Sequence, residues 1–485
     1  MIIFPILFAI YPALFLVSNN YGSVSFGAVA LISGAAVVLA LTLWFMLYWL
    51  FKDKEKSAFL TAIVLIFFFS YGHFSAVVTK LDVFGFSFVR NRYRATLYLF
   101  IMVVSLILGI KAYSRLKGIG SILNLVSVFL ILLVGTTIGW QAMSGPKIAV
   151  NEPSLLSGMT AAVDHPDIYY IIVDGYARPD MIKEIYGSYY NGLNESLARR
   201  GFYIAKGSTC NYPMTDLSLF SSLNMQYIRS KNEFDAQNNK ENRLETFLQS
   251  NGYTIYDLEN GMVYGKNDRR IMTSHSTTSF LMLLLNTTMV DMIAHRLSLY
   301  ASYVRRNVLD EFYLAEMIAG YSGPKYVFVH IPSPHPPYVF DREGKPARAA
   351  ALSVVGDVWK TSWDDEPAYL DQWLYISGQT DKLVGSILSQ AKTPPVIIVQ
   401  SDHGPQFSDE KNDFYRKRMS ILNAFYVPAG IKKQLYSSIT PVNSFRLILD
   451  YYFGEGLKLL PDANYFSTME KRFELKEVTT KVRAN

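Results

Sequence analysis

Five apolar, uncharged runs fill most of the first 142 positions, near residues 2–18, 26–51, 58–79, 95–110 and 119–142, and no charged side chain precedes Lys52. A helix needs about 20 apolar residues to cross the hydrocarbon core of a bilayer, so the pattern predicts an N-terminal bundle of about five transmembrane helices. The polar NNYGS reads as the turn between the first two. The first run has no basic residues ahead of it and a second span follows directly, which marks it as a membrane helix rather than a cleaved signal peptide.

After MSGPKIAVNEPSLLSG the pattern changes to short apolar runs alternating with amphipathic stretches. Three runs, DIYYIIV (167–173), KYVFVHI (325–331) and PVIIVQ (395–400), are continuous and rich in β-branched and aromatic residues. Runs of that kind predict buried parallel strands, hence an α/β domain with a mainly parallel central sheet. The expected boundaries are a helical membrane domain over 1–145, a linker over 146–164 and a soluble domain over 165–485. In CNYPMTDLSLFSSLN, Pro213 opens a helix with Thr215 and Asp216 at its first turn. Helices are also expected in ENRLETFLQS, stopped near Gly252 and followed by the strand YTIYDLE, in DKLVGSILSQ, and in PVNSFRLILDYYFG between Pro441 and Gly454. The charged tail from Glu470 is expected to be peripheral.

Composition and charge narrow the function. Half of the 485 residues are hydrophobic and the mean hydropathy is +0.15, in keeping with a chain partly in lipid. The net charge is +6, but residues 1–150 hold 11 Lys and Arg against Asp53, Glu55 and Asp82, which leaves residues 151–485 at −2. The basic excess therefore flanks the membrane runs, and a nucleic-acid partner, which needs a basic face on the soluble part, is excluded. With the amino terminus in the cytoplasm, Lys52, Lys54, Lys56, Lys111, Arg115 and Lys117 lie inside, and Lys80, Arg90, Arg92 and Arg94 outside. That distribution places the soluble domain outside the cytoplasm. FGFSFVRNRYR (84–94) reads either as an interfacial segment or as an ordinary basic loop. His73, within the third run, reads as a neutral packing histidine. The lone Cys210 cannot form an internal disulfide.

Ligands of α/β sheets collect beyond the carboxyl ends of strands, and there the three runs deliver Asp174, His335, and Asp402 with His403. Two carboxylates, an imidazole and a hydroxyl make a mostly hard-oxygen site suited to one divalent metal ion, Mn²⁺ first, with Zn²⁺ or Mg²⁺ as alternatives. A threonine hydroxyl beside such an ion loses its proton far more readily than in water. Alone, Thr215 reads as a helix cap, Asp174 as a strand-end carboxylate and the Asp402–His403 pair as a solvated turn. Their joint occurrence argues instead for a shared metal centre with Thr215 as nucleophile.

Through IIVDGYARPD, NYPMTDLSLFSSLN, HIPSPHPPYVF and VIIVQSDHGP, residues 165–455 resemble the sulfatase-like branch of the alkaline phosphatase superfamily. The likeness is greatest to membrane enzymes related to lipoteichoic acid synthase. It implies that Asp174, Thr215, Asp402 and His403 are metal ligands, that Thr215 is also the nucleophile, and that His335 faces the transferred group or protonates a leaving oxygen. His330 reads as structural. Cys210 departs from the C/S-x-P-x-R pattern of sulfatases with a modified nucleophile, because its proline comes one position late and no arginine follows. Formylglycine chemistry is therefore disfavoured. Ligands for a second metal would have to come from His165, His275, His295, His330, His335 or His403.

The resemblance implies an enzyme that transfers glycerol phosphate or phosphoethanolamine from a membrane phospholipid to an envelope glycan or lipid. The expected setting is the bacterial inner membrane, with the catalytic domain on its extracytoplasmic side. The alternatives are a membrane-anchored phosphate or sulfate ester hydrolase and a catalytically silent envelope scaffold.

Overall fold

The computed structural model describes residues 2–19, 26–78, 82–83, 86–87, 91–116, 118–144, 165–187, 192–238, 242–258, 281, 284–294, 299–347, 363, 365–406, 414–469 and 471–483. The expected linker, 146–164, lies outside them, as do several residues of the 84–94 loop. Of that loop, Phe86–Ser87 pairs antiparallel with Asp82–Val83.

The chain divides into two compact units. The first contains α1 (Phe4–Asn19), α2 (Phe26–Phe51), α3 (Lys54–Val78), α4 (Asn91–Ala112) and α5 (Ile119–Ser144). Four stretches, Val29–Phe51, Lys54–Val78, Tyr93–Arg115 and Ile119–Gln141, are long and apolar enough to cross a membrane. The 16 residues of α1 rise only about 24 Å, short of a bilayer core of roughly 30 Å. The five apolar runs thus give five helices of which four have spanning length, and the N-terminal helices anchor the chain in the membrane. Asn124 on α5 accepts from the Ile3 and Phe4 amides at 3.0 and 3.1 Å, satisfying donors at the start of α1 that no helical carbonyl can reach. Leu284, from far along the chain, packs with Ala13 and Ile32, and the Met289 amide donates to the Phe68 carbonyl at 2.8 Å. Gly72 permits that approach, since a Cβ there would lie 2.2 Å from the Asn286 oxygen. His73 is exposed on α3 and, with Ser70 and Tyr98, lines a groove of about 450 Å³.

The second unit is built on a six-stranded sheet of β1 (Ile168–Val173), β2 (Tyr203–Ile204), β3 (Thr254–Leu258), β4 (Lys325–Ile331), β5 (Val396–Gln400) and β6 (Asn423–Tyr426), ordered β2-β6-β5-β1-β4-β3. β5, β1, β4 and β3 are mutually parallel, while β6 runs antiparallel to β5 and β2 antiparallel to β6. Every residue of β1, β4 and β5 is buried, which explains why these strands read as unbroken apolar runs rather than as an alternation. Ile168, Tyr170 and Ile172 join a cluster with Leu219 and Leu223 of α6 (Thr215–Asn224) and Phe445 and Ile448 of α7 (Pro441–Phe453). Strand alternation turns Tyr169, Ile171 and Val173 to the opposite face, and their burial shows that this face is covered as well.

The tail departs from expectation. Lys476–Glu477 pairs antiparallel with Tyr465–Phe466, and Val478 and Val482 are buried against Cys210, Met419 and Ile421. Phe473 and Leu475 pack against a second cluster around Tyr212 and Phe220, so the charged segment is docked at several points.

Candidate active site

Strand β1 is flanked by β4 and β5, and Ile172 is in register with both His330 and Gln400. The chain therefore leaves three adjacent strands at one level. Asp174, the first residue beyond β1, donates its amide to the Ile331 carbonyl, and its own carbonyl accepts the His335 amide, both at 3.0 Å. Those bonds tie the proline-rich loop after β4 to the loop after β1. Asp402 Oδ1 accepts from the amides of Gly175 at 3.0 Å and His403 at 2.9 Å, which ties in the loop after β5. Glycine is required after His403, because a Cβ on Gly404 would come within 2.3 Å of the Lys417 carbonyl.

The structure brings together the residues singled out from the sequence. His403 Nε2 lies 3.2 Å from Thr215 Oγ1, 3.3 Å from Asp402 Oδ2 and 3.6 Å from Asp174 Oδ1. Its Nδ1 is 3.0 Å from the Gly404 carbonyl. A carbonyl can only accept, so this bond puts the proton on Nδ1 and turns the Nε2 lone pair inward. His335 is arranged alike, with Nδ1 2.8 Å from the Pro336 carbonyl and its ring 6.0 Å from that of His403. Ligand atoms of Asp174, His335 and His403 lie within 4.8 Å of one another, and so do those of Asp174, His330 and Asp402. His330, read from the sequence as structural, thus belongs to the cluster, with Nε2 3.4 Å from Asp174 Oδ2.

Thr215 is the first helical residue of α6; Met214 precedes it as the cap, without a side-chain cap bond. The Thr215 hydroxyl faces His403 rather than capping the helix. The neighbouring Asp216 is ion-paired with Arg472 of the tail.

Burial governs the electrostatics. Asp402, completely buried and next to Asp174, has its carboxyl pushed up to about 7. For Asp174 burial pushes the same way, but the surrounding His335, His330 and His403 outweigh it and hold the group below the usual carboxylate range. Burial lowers both His335 and His403, and the Arg418 guanidinium pushes each in the same direction. Asp174 Oδ1 and Asp402 Oδ2 are buried without a hydrogen-bond donor. Buried carboxylate oxygens normally have donors or coordinate metals, and an inward imidazole nitrogen and a hydroxyl stand beside these two. The set fits one divalent cation.

Arg418 and Trp363 were not found from the sequence. Arg418 is buried inside a basic run, YRKRM, that carries no motif, and Trp363 stacks edge-on against His335 at 4.8 Å. No local signal identifies either. Cys210 is buried in an apolar cluster with Met419, Ile421, Val478 and Val482, and burial raises its thiol pKa well above its ordinary value. His165 stacks on Phe453 at 5.3 Å, and His275 and His295 lie outside the described residues.

A comparison with curated proteins finds no match. Among solved structures, the C-terminal periplasmic domain of EptC from Escherichia coli is similar at 13% identity, covering 65% of this chain and 93% of that one, with a TM-score of 0.41. The corresponding domain of the phosphoethanolamine transferase EptC from Campylobacter jejuni is similar at 12% identity, over 62% and 97%, with a TM-score of 0.37. The integral membrane lipooligosaccharide phosphoethanolamine transferase A from Neisseria meningitidis is similar at 13% identity, over 93% and 94%, with a TM-score of 0.39. The sequence model of the family described as Sulfatase matches residues 166–442, a span that takes in Asp174, Thr215, His335, Asp402 and His403. With that match over more than half of its length, the chain belongs to the sulfatase family.

Proposed function

We propose that the protein is a metal-dependent transferase that moves a phosphorylated headgroup, glycerol phosphate or phosphoethanolamine, from a membrane phospholipid to an envelope glycan or lipid through a phospho-threonine. The observation that carries this reading is the Thr215 hydroxyl 3.2 Å from His403 Nε2, at the first turn of a helix and beside two carboxylate oxygens that lack donors. Asp174, Thr215, Asp402 and His403 would hold the cation, Mn²⁺ by preference for a mixed carboxylate, hydroxyl and imidazole set. Bound there, it would lower the pKa of the Thr215 hydroxyl and offset charge on the phosphoryl oxygens.

As Thr215 Oγ1 attacks phosphorus its proton passes to the unprotonated Nε2 of His335, the bond from phosphorus to the diacylglycerol oxygen breaks, and that oxygen takes the proton from Nε2. The acceptor hydroxyl then gives its proton to Nε2 as its oxygen attacks the phospho-threonine, the bond from phosphorus to Thr215 Oγ1 breaks, and Oγ1 takes that proton and regains its starting form. The Nδ1 bond to Pro336 keeps the His335 ring oriented for both transfers. Amide groups at the start of α6 favour an anionic group opposite Thr215. A membrane anchor suits a donor confined to the bilayer surface, and the charge pattern of the loops supports an extracytoplasmic catalytic domain at the bacterial inner membrane.

The sulfatase match also favours a second reading, hydrolysis of a phosphate or sulfate ester with water as acceptor. Intact-mass analysis after incubation with headgroup-labelled phospholipid and Mn²⁺ tests both. The transferase reading requires a headgroup-phosphate adduct on the wild type that is absent from Thr215→Ala, and label in an added glycan or lipid acceptor. Free headgroup phosphate with no acceptor adduct would establish the hydrolase.

A further inference from the structure

The two loops that meet at the site are joined by one side chain. Arg418 donates through Nη1 to the Gly404 carbonyl at 2.5 Å and through Nη2 to the Pro213 carbonyl. Gly404 follows His403, and its carbonyl is the one that also accepts His403 Nδ1. Pro213 lies two residues before Thr215. The Gly404 amide returns a bond to the Arg418 carbonyl at 2.7 Å, so the two residues are tied by backbone and side chain together. The guanidinium lies over Trp363, 5.6 Å from the ring centroid. The same ring stacks against His335 and closes on Gly175, where a Cβ would come to 2.9 Å.

We propose that Arg418, with Trp363 as its platform, is a positioning residue that sets the distance between the Thr215 hydroxyl and the inward nitrogen of His403. The planar fork suits the task, since it reaches two carbonyls in fixed directions, whereas lysine offers a point charge on a flexible stem. An arginine whose two terminal nitrogens each donate to a carbonyl orients the groups on either side of it. By holding the Gly404 carbonyl it also fixes the acceptor that selects the His403 tautomer, the kind of outer partner whose loss typically weakens metal binding 10- to 100-fold. The inference rests on the reading of Asp174, Thr215, Asp402 and His403 as a cation site, but not on the identity of donor or acceptor.

The test is Mn²⁺ titration calorimetry on the full chain in detergent, with headgroup transfer measured in parallel. Arg418→Lys is expected to bind Mn²⁺ roughly 10- to 100-fold more weakly and to lower kcat more than it raises KM. Trp363→Phe, which leaves both carbonyl bonds possible but shrinks the platform, is expected to weaken Mn²⁺ by a few fold and decides the matter if Arg418→Lys does not fold. Arg200→Ala, at an exposed arginine paired with Asp381, is the unchanged control. A folded Arg418→Lys, or failing that a folded Trp363→Phe, with wild-type Mn²⁺ affinity would overturn the proposal. Tight Mn²⁺ binding by the wild type without any headgroup adduct would overturn the transferase reading and leave this one standing.

Discussion

The membrane helices and the central sheet are both read as long apolar runs, yet they dispose of their side chains in opposite ways. On the helices, Leu31, Phe45, Trp49, Leu125 and Trp140 are each more than two-thirds exposed, whereas Ile171 and its neighbours in β1 are sealed completely. The first set meets lipid and needs no protein partner; the second is packed from both faces. The polar groups differ correspondingly. Charged residues of the helical unit cluster at helix ends, at Lys52, Asp53, Lys54 and Lys56 or at Lys111 and Arg115. The sheet unit instead buries Asp174 and Asp402 and leaves an oxygen of each without a donor. Two buried carboxylates, each with one oxygen that no donor reaches, mark the sheet end as the place built for a ligand.

The largest effect expected from this contrast is at Thr215. Its hydroxyl lies 3.2 Å from His403 Nε2, so Thr215→Ala should abolish the headgroup adduct and lower turnover by roughly a thousandfold or more while leaving the melting temperature nearly unchanged. An adduct that persists in the variant would remove the nucleophile from the proposal.

Next is Asp402→Asn, which retains an acceptor for the Gly175 and His403 amides but removes the donor-less charge. Mn²⁺ affinity should fall by about 100-fold. A carboxyl raised from 3.8 to about 7 on folding binds a proton more tightly in the folded than in the unfolded chain. It therefore costs stability progressively as pH rises through that interval. The metal-free variant should accordingly melt at or above the wild type at about pH 8, measured by differential scanning calorimetry; a marked drop would mean that the charge is satisfied by protein groups.

Two truncations compare the units directly. Ile171→Ala should destabilise by about 2–5 kcal/mol, while Leu125→Ala, at a lipid-facing position, should stay within roughly 0.5 kcal/mol in detergent. Equal losses in calorimetry would erase the distinction between lipid-facing and packed apolar side chains.

The smallest expected effect concerns pH. A cation held by Asp402 would displace its proton, so the rise in melting temperature on adding Mn²⁺ should be larger at about pH 8 than at about pH 6, by a few degrees. A rise independent of pH, seen by scanning fluorimetry, would place the cation away from Asp402.

Much of this architecture was legible in the sequence. Apolar length exposed the membrane helices, and the β-branched runs at 167–173, 325–331 and 395–400 marked three buried strands, because helix and strand periodicity are local properties. The antiparallel edge, β6 with its two-residue neighbour β2, was not legible, since short mixed segments become strands only when a partner supplies hydrogen bonds. α1 is apolar as expected, but with 16 residues it is shorter than the four helices that follow it. The tail misled because Val478 and Val482 are sparse in a charged sequence and their pocket is formed by residues around Cys210 and Met419.

Asp174, Thr215, Asp402 and His403 could be named from residue type and place in the chain, and His335 from the family resemblance, since strand ends and helix starts are where such side chains can meet a ligand. Their spacing could not. Thr215 and His403 stand 188 positions apart, yet their atoms lie 3.2 Å from each other. Only the packed sheet decided that distance, drew His330 into the cluster and placed the Arg418 fork between two distant carbonyls. A strand follows from a handful of consecutive side chains, whereas a contact between loops follows from the register of every strand between them.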